Sequence, residues 1–150
     1  MFYGLWSVVD LDVTNFNTKN SKSFNHMFCE MNELKKIDVS KFNTSKCENI
    51  KAMLCCCTQL TERDMFDWDI SNLNYNYGKE NPINSLFSNC KNLKKIKISG
   101  NLRREEAEKD FKGDMFEGIP EIGTLVLNNK LKNNIPLNKC LPENWAKSYE

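Results

Sequence analysis

The stretch MFCEMNELKKIDVSKFNTSKCENIKA, residues 27–52, decides the fold, because two different periodicities follow one another within it. Leu34-x-x-Ile37-x-Val39 ends in alternating apolar and polar residues, the pattern of a strand with one buried face and one wet face. After the corner Phe42-Asn43-Thr44, the apolar residues Cys47, Ile50, Met53, Leu54 and Cys57 recur at three-to-four spacing. That spacing predicts a helix, with Thr44 or Ser45 placed to cap it. One strand and one short helix cannot bury both apolar faces alone, so the unit is stable only when stacked on copies of itself.

The copies are present. Units start at Met1-Phe2, Met27-Phe28, Met53-Leu54, Leu86-Phe87 and Met115-Phe116, with spacings of 26, 26, 33 and 29. The strand pattern returns as Val8-x-x-Leu11-x-Val13, Leu60-x-x-Arg63-x-Met65, Leu93-x-x-Ile96-x-Ile98 and Ile122-x-x-Leu125-x-Leu127. An aromatic recurs at Phe16, Phe42 and Trp68. The expected architecture is an α/β solenoid of about five coils in a single domain, residues 1–150, with a parallel sheet on the concave side and helices on the convex side. An insertion over residues 74–82, marked by Gly78 and Pro82, precedes a helix resuming at Ile83. The charged stretch 101–114 reads as a polar helix, and residues 128–150 as an irregular cap in which Leu131, Ile135, Leu137 and Trp145 cover the last coil.

The phrases MFCEMNELKKIDVSKFNTSKCENIKAML and LFSNCKNLKKIKIS resemble the BspA-type leucine-rich repeats of bacterial and protist surface proteins and mycoplasma lipoproteins. The resemblance implies a leucine-rich-repeat solenoid with a role in adhesion or protein binding. By position, Asp12, Asp38 and Asp64 match the Asp of the family's LDLS motif, and Cys57 and Cys90 match its Cys. Arg63 at a normally apolar position, Lys97 in place of the Asp, and the degenerate last repeat depart from the pattern.

Composition excludes some classes. A formal net charge of +1 removes any whole-chain case for nucleic acid or anionic membrane, and no apolar run approaches the roughly 18 residues of a membrane span, so membrane insertion is not expected. The 21 Asn and 18 Lys read as a coding bias rather than a functional signal. The seven Cys cannot all pair within one chain, which together with the absence of a signal-peptide succession in the first 30 residues favours a reducing, intracellular compartment. The family resemblance instead implies the cell surface or secretion.

Chemistry is sparse. His26 is the only His and there is no CxxC pair, so a zinc site or a Cys–His nucleophile lacks its residues. Cys55-Cys56-Cys57, read as helical, would point about 100° apart. The thiols read as small apolar core residues. No glycine-rich phosphate loop occurs, and no catalytic residue, metal or cofactor is expected. The outward strand positions are more informative, since stacking aligns them in columns: Asp12, Asp38, Asp64, Lys97 and Val126; Asp10, Lys36, Glu62, Lys95 and Thr124; Thr14, Ser40, Phe66, Ser99 and Asn128. The expected function is a non-catalytic module binding a protein partner through Asp12, Asp38, Asp64, Lys36, Glu62, Phe66, Lys95 and Lys97. The alternative is a structural fragment of a longer array, self-associating end to end through an exposed terminal coil.

Overall fold

The computed structural model describes residues 1–65, 67–74, 81–98, 114–127 and 141–149. Four strands, β1 (Glu62–Met65), β2 (Lys95–Ile98), β3 (Ile122–Leu127) and β4 (Asn144–Tyr149), form one sheet in the order β1-β2-β3-β4. All neighbours are parallel, with Glu62 beside Lys95 beside Thr124 and Asp64 beside Lys97 beside Val126. The alternating LxL residues thus face inward together: Met65, Ile96, Ile98, Leu125 and Leu127 are buried. In units one and two the equivalent segments touch through an Asp10–Lys36 bridge and a bond from Lys35 N–H to the Val9 carbonyl at 2.9 Å.

Three strand expectations are corrected. The C-terminal segment is not irregular throughout, because β4 lies in register along the whole of β3. Trp145 docks it: its indole N–H donates to the Pro120 carbonyl at 2.8 Å, and its ring fills the space over Gly123, where a Cβ would lie 2.5 Å from ring carbons. Within β3, Ile122 is 71% exposed instead of starting the core face, while Val126, expected to point outward, is buried. The predicted polar helix and most of the insertion, with Leu131, Ile135 and Leu137, lie outside the described residues.

The second periodicity is not helical. Among the described residues there is no α-helix, only a 3-10 turn at Asp114–Phe116. The chain instead runs through linked β-turns: Met53 N–H bonds to the Ile50 carbonyl (3.2 Å), Cys55 to Ala52 (3.2 Å) and Cys57 to Leu54 (3.3 Å). The intervening residues send their N–H groups to the following unit, Ala52 to the Asn84 carbonyl (2.8 Å), Leu54 to Leu86 (3.1 Å) and Cys56 to Ser88 (2.8 Å). Unit two repeats this onto unit three, His26 bonding to Lys51, Phe28 to Met53 and Glu30 to Cys55. The turns require left-handed backbone, found at His26, Ala52 and Ser85 and again four residues on at Glu30, Cys56 and Asn89, with Gly4 and Gly118 at the latter position in the first and fifth units. For a residue bearing a Cβ this conformation costs about 1–2 kcal/mol. The compensation is spacing: strands repeat at about 4.8 Å, whereas packed helices need about 8–10 Å. A turn ribbon keeps pace with the sheet and lets backbone bonds join one unit to the next.

Because equivalent residues stack, the core is built of aligned side chains. Phe42 and Trp68 are parallel at 6.3 Å between ring centroids, Phe2 and Phe28 at 5.8 Å, and Phe87 and Phe116 at 6.1 Å. Gly123→Ala is expected to lower stability by about 1–3 kcal/mol through the clash with Trp145, and Phe42→Ala by about 3–5 kcal/mol. Urea unfolding of the full chain measures both.

Candidate functional site

The exposed face is assembled by the alternation of β1 and β2. Glu62 and Asp64 are exposed in β1 while Arg63 and Met65 are buried; in β2, Lys95 is exposed, Lys97 half-buried and Ile96 buried. The register therefore sets Glu62 beside Lys95 and Asp64 beside Lys97, opposite charges on adjacent strands. Lys36 joins the same face through its bridge with Asp10. Phe66, the apolar contact expected from the sequence, lies outside the described residues.

Asp12 and Asp38 do a second job. Asp12 Oδ1 accepts from Thr14 N–H at 2.9 Å and from its hydroxyl at 2.6 Å, and Asp38 Oδ1 accepts from Ser40 N–H at 2.9 Å. These bonds turn the chain at the strand's end. Matching corners recur where Asn43 and Asp69 accept from Ser45 and Ser71, and where Asn49 and Asn81 accept from the N–H of Lys51 and Ile83. Asn43, Asn49 and Asn81 thus have a structural use in these corners. The hydroxyl bonds from Thr14, Ser40 and Ser71 hold the Asp12, Asp38 and Asp69 carboxyls below their ordinary value of 3.8. A depressed folded-state pKa contributes stability above the unfolded value, and that contribution is lost as pH falls through the folded one.

Between units two and three the sheet is open. On one side Lys94 N–H bonds to the Thr61 carbonyl at 2.8 Å, and on the other Lys35 reaches Val9, yet no backbone bond joins residues 34–39 to residues 60–65. Among the described residues the two segments are linked near their ends by the Thr58 hydroxyl on the Asn32 carbonyl (2.9 Å) and the Trp68 indole on the Val39 carbonyl (3.0 Å). Two cavities of about 530 and 370 Å³ occupy the opening, sharing Ile37, Asp38, Glu62 and Arg63 in their walls. Asp64, Lys95 and Lys97 line the smaller, Lys35 and Lys36 the larger.

Arg63 is the residue that sequence reasoning left out of the site. It occupies the position held by Leu11, Ile37, Ile96 and Leu125 in the other units. It is only 7% exposed, and its Nε and Nη2 have no hydrogen-bond partner among the described residues. Loss of water around the guanidinium pulls its pKa down to about 10, which still leaves it a cation at neutral pH. The available signal was that charge in an otherwise Leu or Ile column.

The buried thiols Cys57 and Cys90 are not activated. Cys57 Sγ–H donates to the Phe28 carbonyl at 3.1 Å and Cys90 Sγ–H to the Leu54 carbonyl at 3.0 Å. Burial pushes Cys57 up to about 12 and raises Cys90 as well, the opposite of what a nucleophilic thiolate needs. Cys55 and Cys56 lie in a turn, not a helix, with sulfurs 3.5 Å apart, and burial again raises Cys55. The six described cysteines are free. His26 Nδ1 contacts the Asn25 side chain. Among the described residues no three His, Cys, Asp or Glu side chains are grouped to hold a metal, and no helix is long and apolar enough to cross a membrane.

A stacked repeat protein with a charged parallel sheet face and an unpaired arginine beneath it is the class these features define. Over residues 1–118 the chain matches the family described as Mycoplasma protein of unknown function, DUF285, and it belongs to that family. Neither a curated protein nor a solved structure matches it.

Two outcomes follow from the geometry. Arg63→Leu, which restores the repeat residue, is expected to raise unfolding free energy by about 1–4 kcal/mol, read by urea titration. A D12N/D38N/D69N variant, keeping acceptor oxygens at the corners, is expected to lose less of its melting temperature than the parent between about pH 5 and about pH 2, read by circular dichroism.

Proposed function

We propose that the chain is a leucine-rich-repeat solenoid of BspA type acting as a non-catalytic protein-binding module, through the exposed face of its parallel sheet. The observation that carries this reading is the register of β1 and β2, which sets Glu62, Asp64, Lys95 and Lys97 side by side on one face. Alternating charge on a rigid sheet orients an incoming partner and rejects those of mismatched sign. Asp12, Asp38 and Lys36 extend the charged surface into the first two units, and Phe66, next after Met65 in the sequence, is the proposed apolar contact. The partner class is protein, in adhesion or a comparable interaction.

The test is capture from a lysate with the full chain as bait, identified by mass spectrometry, against an E62K/D64K/K95E/K97E variant. One dominant protein retained by the parent and reduced about tenfold or more by the variant, with melting temperatures within about 4 °C, supports the reading. Equal retention by both sinks it.

End-to-end self-association is the second reading, favoured by the outer face of the first unit, where Met1, Tyr3 and Trp6 are 91%, 55% and 63% exposed. Light scattering should then give a mass rising with concentration, abolished by Trp6→Ser. A concentration-independent monomer removes this reading.

A further inference from the structure

We propose that Cys29 and Cys55 form a disulfide stapling units two and three when the chain meets hydrogen peroxide, with Cys56 as the thiol that the oxidant reaches first. The cluster lies on the turn ribbon, and its chemistry is independent of the protein-binding reading.

The ribbon is what brings the two sulfurs together. Cys29 and Cys55 are 26 residues apart, one repeat, and each precedes the left-handed residue of its turn, Glu30 or Cys56. Equivalent positions send their side chains off the same side of the ribbon. At this junction the ribbon is continuous, because His26, Phe28 and Glu30 donate their N–H groups to the carbonyls of Lys51, Met53 and Cys55 at 3.0, 2.9 and 2.8 Å. Equivalent residues are then separated by the repeat pitch of about 4.8 Å, inside the roughly 4.4–6.8 Å between Cα atoms that a disulfide spans. Packed helices, about 8–10 Å apart, would hold the same thiols out of reach. Burial raises the pKa of both thiols, and the contact between them lowers Cys29 and raises Cys55. The column continues as Tyr3 in unit one and Ser88 in unit four, while Cys57 and Cys90 turn inward onto the carbonyls of Phe28 and Leu54.

Access and reach are divided among three sulfurs. Cys29 is only 4% exposed and does not meet an oxidant directly, whereas Cys56 is half-buried with its Sγ 3.5 Å from that of Cys55. Cys56 sulfur attacks one peroxide oxygen and the O–O bond breaks, giving a sulfenic acid and one water. Cys55 Sγ then attacks the sulfenic sulfur; the S–O bond breaks, and the Cys55 thiol proton leaves with the hydroxyl as a second water. The resulting bridge is strained, because adjacent Cα atoms are about 3.8 Å apart, below the span that a disulfide prefers. Cys29 Sγ attacks Cys55 Sγ, its proton passes to the departing Cys56 sulfur, and the strain is released. In sum two thiols are oxidised, one peroxide is reduced to two waters, and Cys56 is returned as a thiol.

The position of the bridge gives it an effect on the fold. It closes a loop of one repeat on the ribbon side of a junction whose strand segments, 34–39 and 60–65, share no backbone bond among the described residues. Oxidation thus ties unit two, with Lys36 and Asp38, to unit three, with Glu62 and Asp64.

The experiment uses the full chain, reduced, exposed to hydrogen peroxide, alkylated under denaturing conditions and digested with trypsin without reduction. Mass spectrometry of the monomer is expected to find residues 23–35 joined to residues 52–63, with Cys56 and Cys57 alkylated. Cys55→Ser should abolish the bridge, and Cys29→Ser should halt oxidation at a bridge between Cys55 and Cys56. Cys56→Ser should slow bridging by about tenfold or more. Serine suits the turn at residues 29 and 55, since Ser88 holds the same position in unit four. The oxidised chain should melt about 5–10 °C higher than the reduced one, a rise reversed by dithiothreitol. Cys29 recovered fully alkylated after oxidation overturns the proposal, as does a bridge confined to covalent dimers or one retained in Cys55→Ser. Bridging of Cys56→Ser at the parent's rate overturns the entry role of Cys56, and an unchanged melting temperature overturns the staple.

Discussion

Everything in this fold follows from one repeat distance. A parallel sheet advances by about 4.8 Å per strand, and whatever returns the chain from the end of one strand to the start of the next must advance by the same amount. A return made of helices, packed about 8–10 Å apart, fits that pitch only if the stack curves, whereas a ribbon of turns matches it directly. The ribbon binds alternate N–H groups to its own unit and sends the others to the next, so no return needs a hydrogen-bonding element of its own. Left-handed residues such as Ala52 and Ser85 are the strain accepted for this fit. The parallel rings Phe42 and Trp68 are its packing counterpart.

Much of this was legible in the sequence. The LxxLxL pattern predicts which strand residues point inward, and the repeat phase predicts the neighbours Glu62–Lys95 and Asp64–Lys97, because side-chain direction in a strand depends only on parity. The return was misread for an equally physical reason. Apolar residues at three-to-four spacing mark one face of a helix, but they also mark the inward corners of successive β-turns, and Ile50, Met53, Leu54 and Cys57 serve the latter. No α-helical N-cap exists at Thr44 or Ser45; Ser45 instead bonds to Asn43 in a side-chain corner. β4 was invisible because only Trp145 among its six residues is buried, so it carries no alternation to detect.

The candidate site was legible by half. Its charged rim could be written down from the columns. Its floor could not, since the opening arises from the absence of bonds between two segments whose patterns both read as ordinary strands. Arg63 was visible as an exception to the repeat, and the structure gives that exception its meaning: a long polar side chain sits where four other units place Leu or Ile, and the sheet is interrupted beside it. The Asp residues illustrate the converse, since Asp12 and Asp38 belong to the charged face and are also bound into the corners that end each strand.

The direction of the inter-unit bonds has a further consequence. Along the turn ribbon N–H groups are donated toward the following unit, as Phe2 and Gly4 do toward Met27 and Cys29, whereas elsewhere in the same units the donation runs backwards, as from Lys35 to Val9, Glu48 to Lys22 and Lys94 to Thr61. Each unit is therefore held to its neighbour by opposed sets of donors and acceptors, so that a unit can be matched in full only by another unit laid on it in the same register and the same sense.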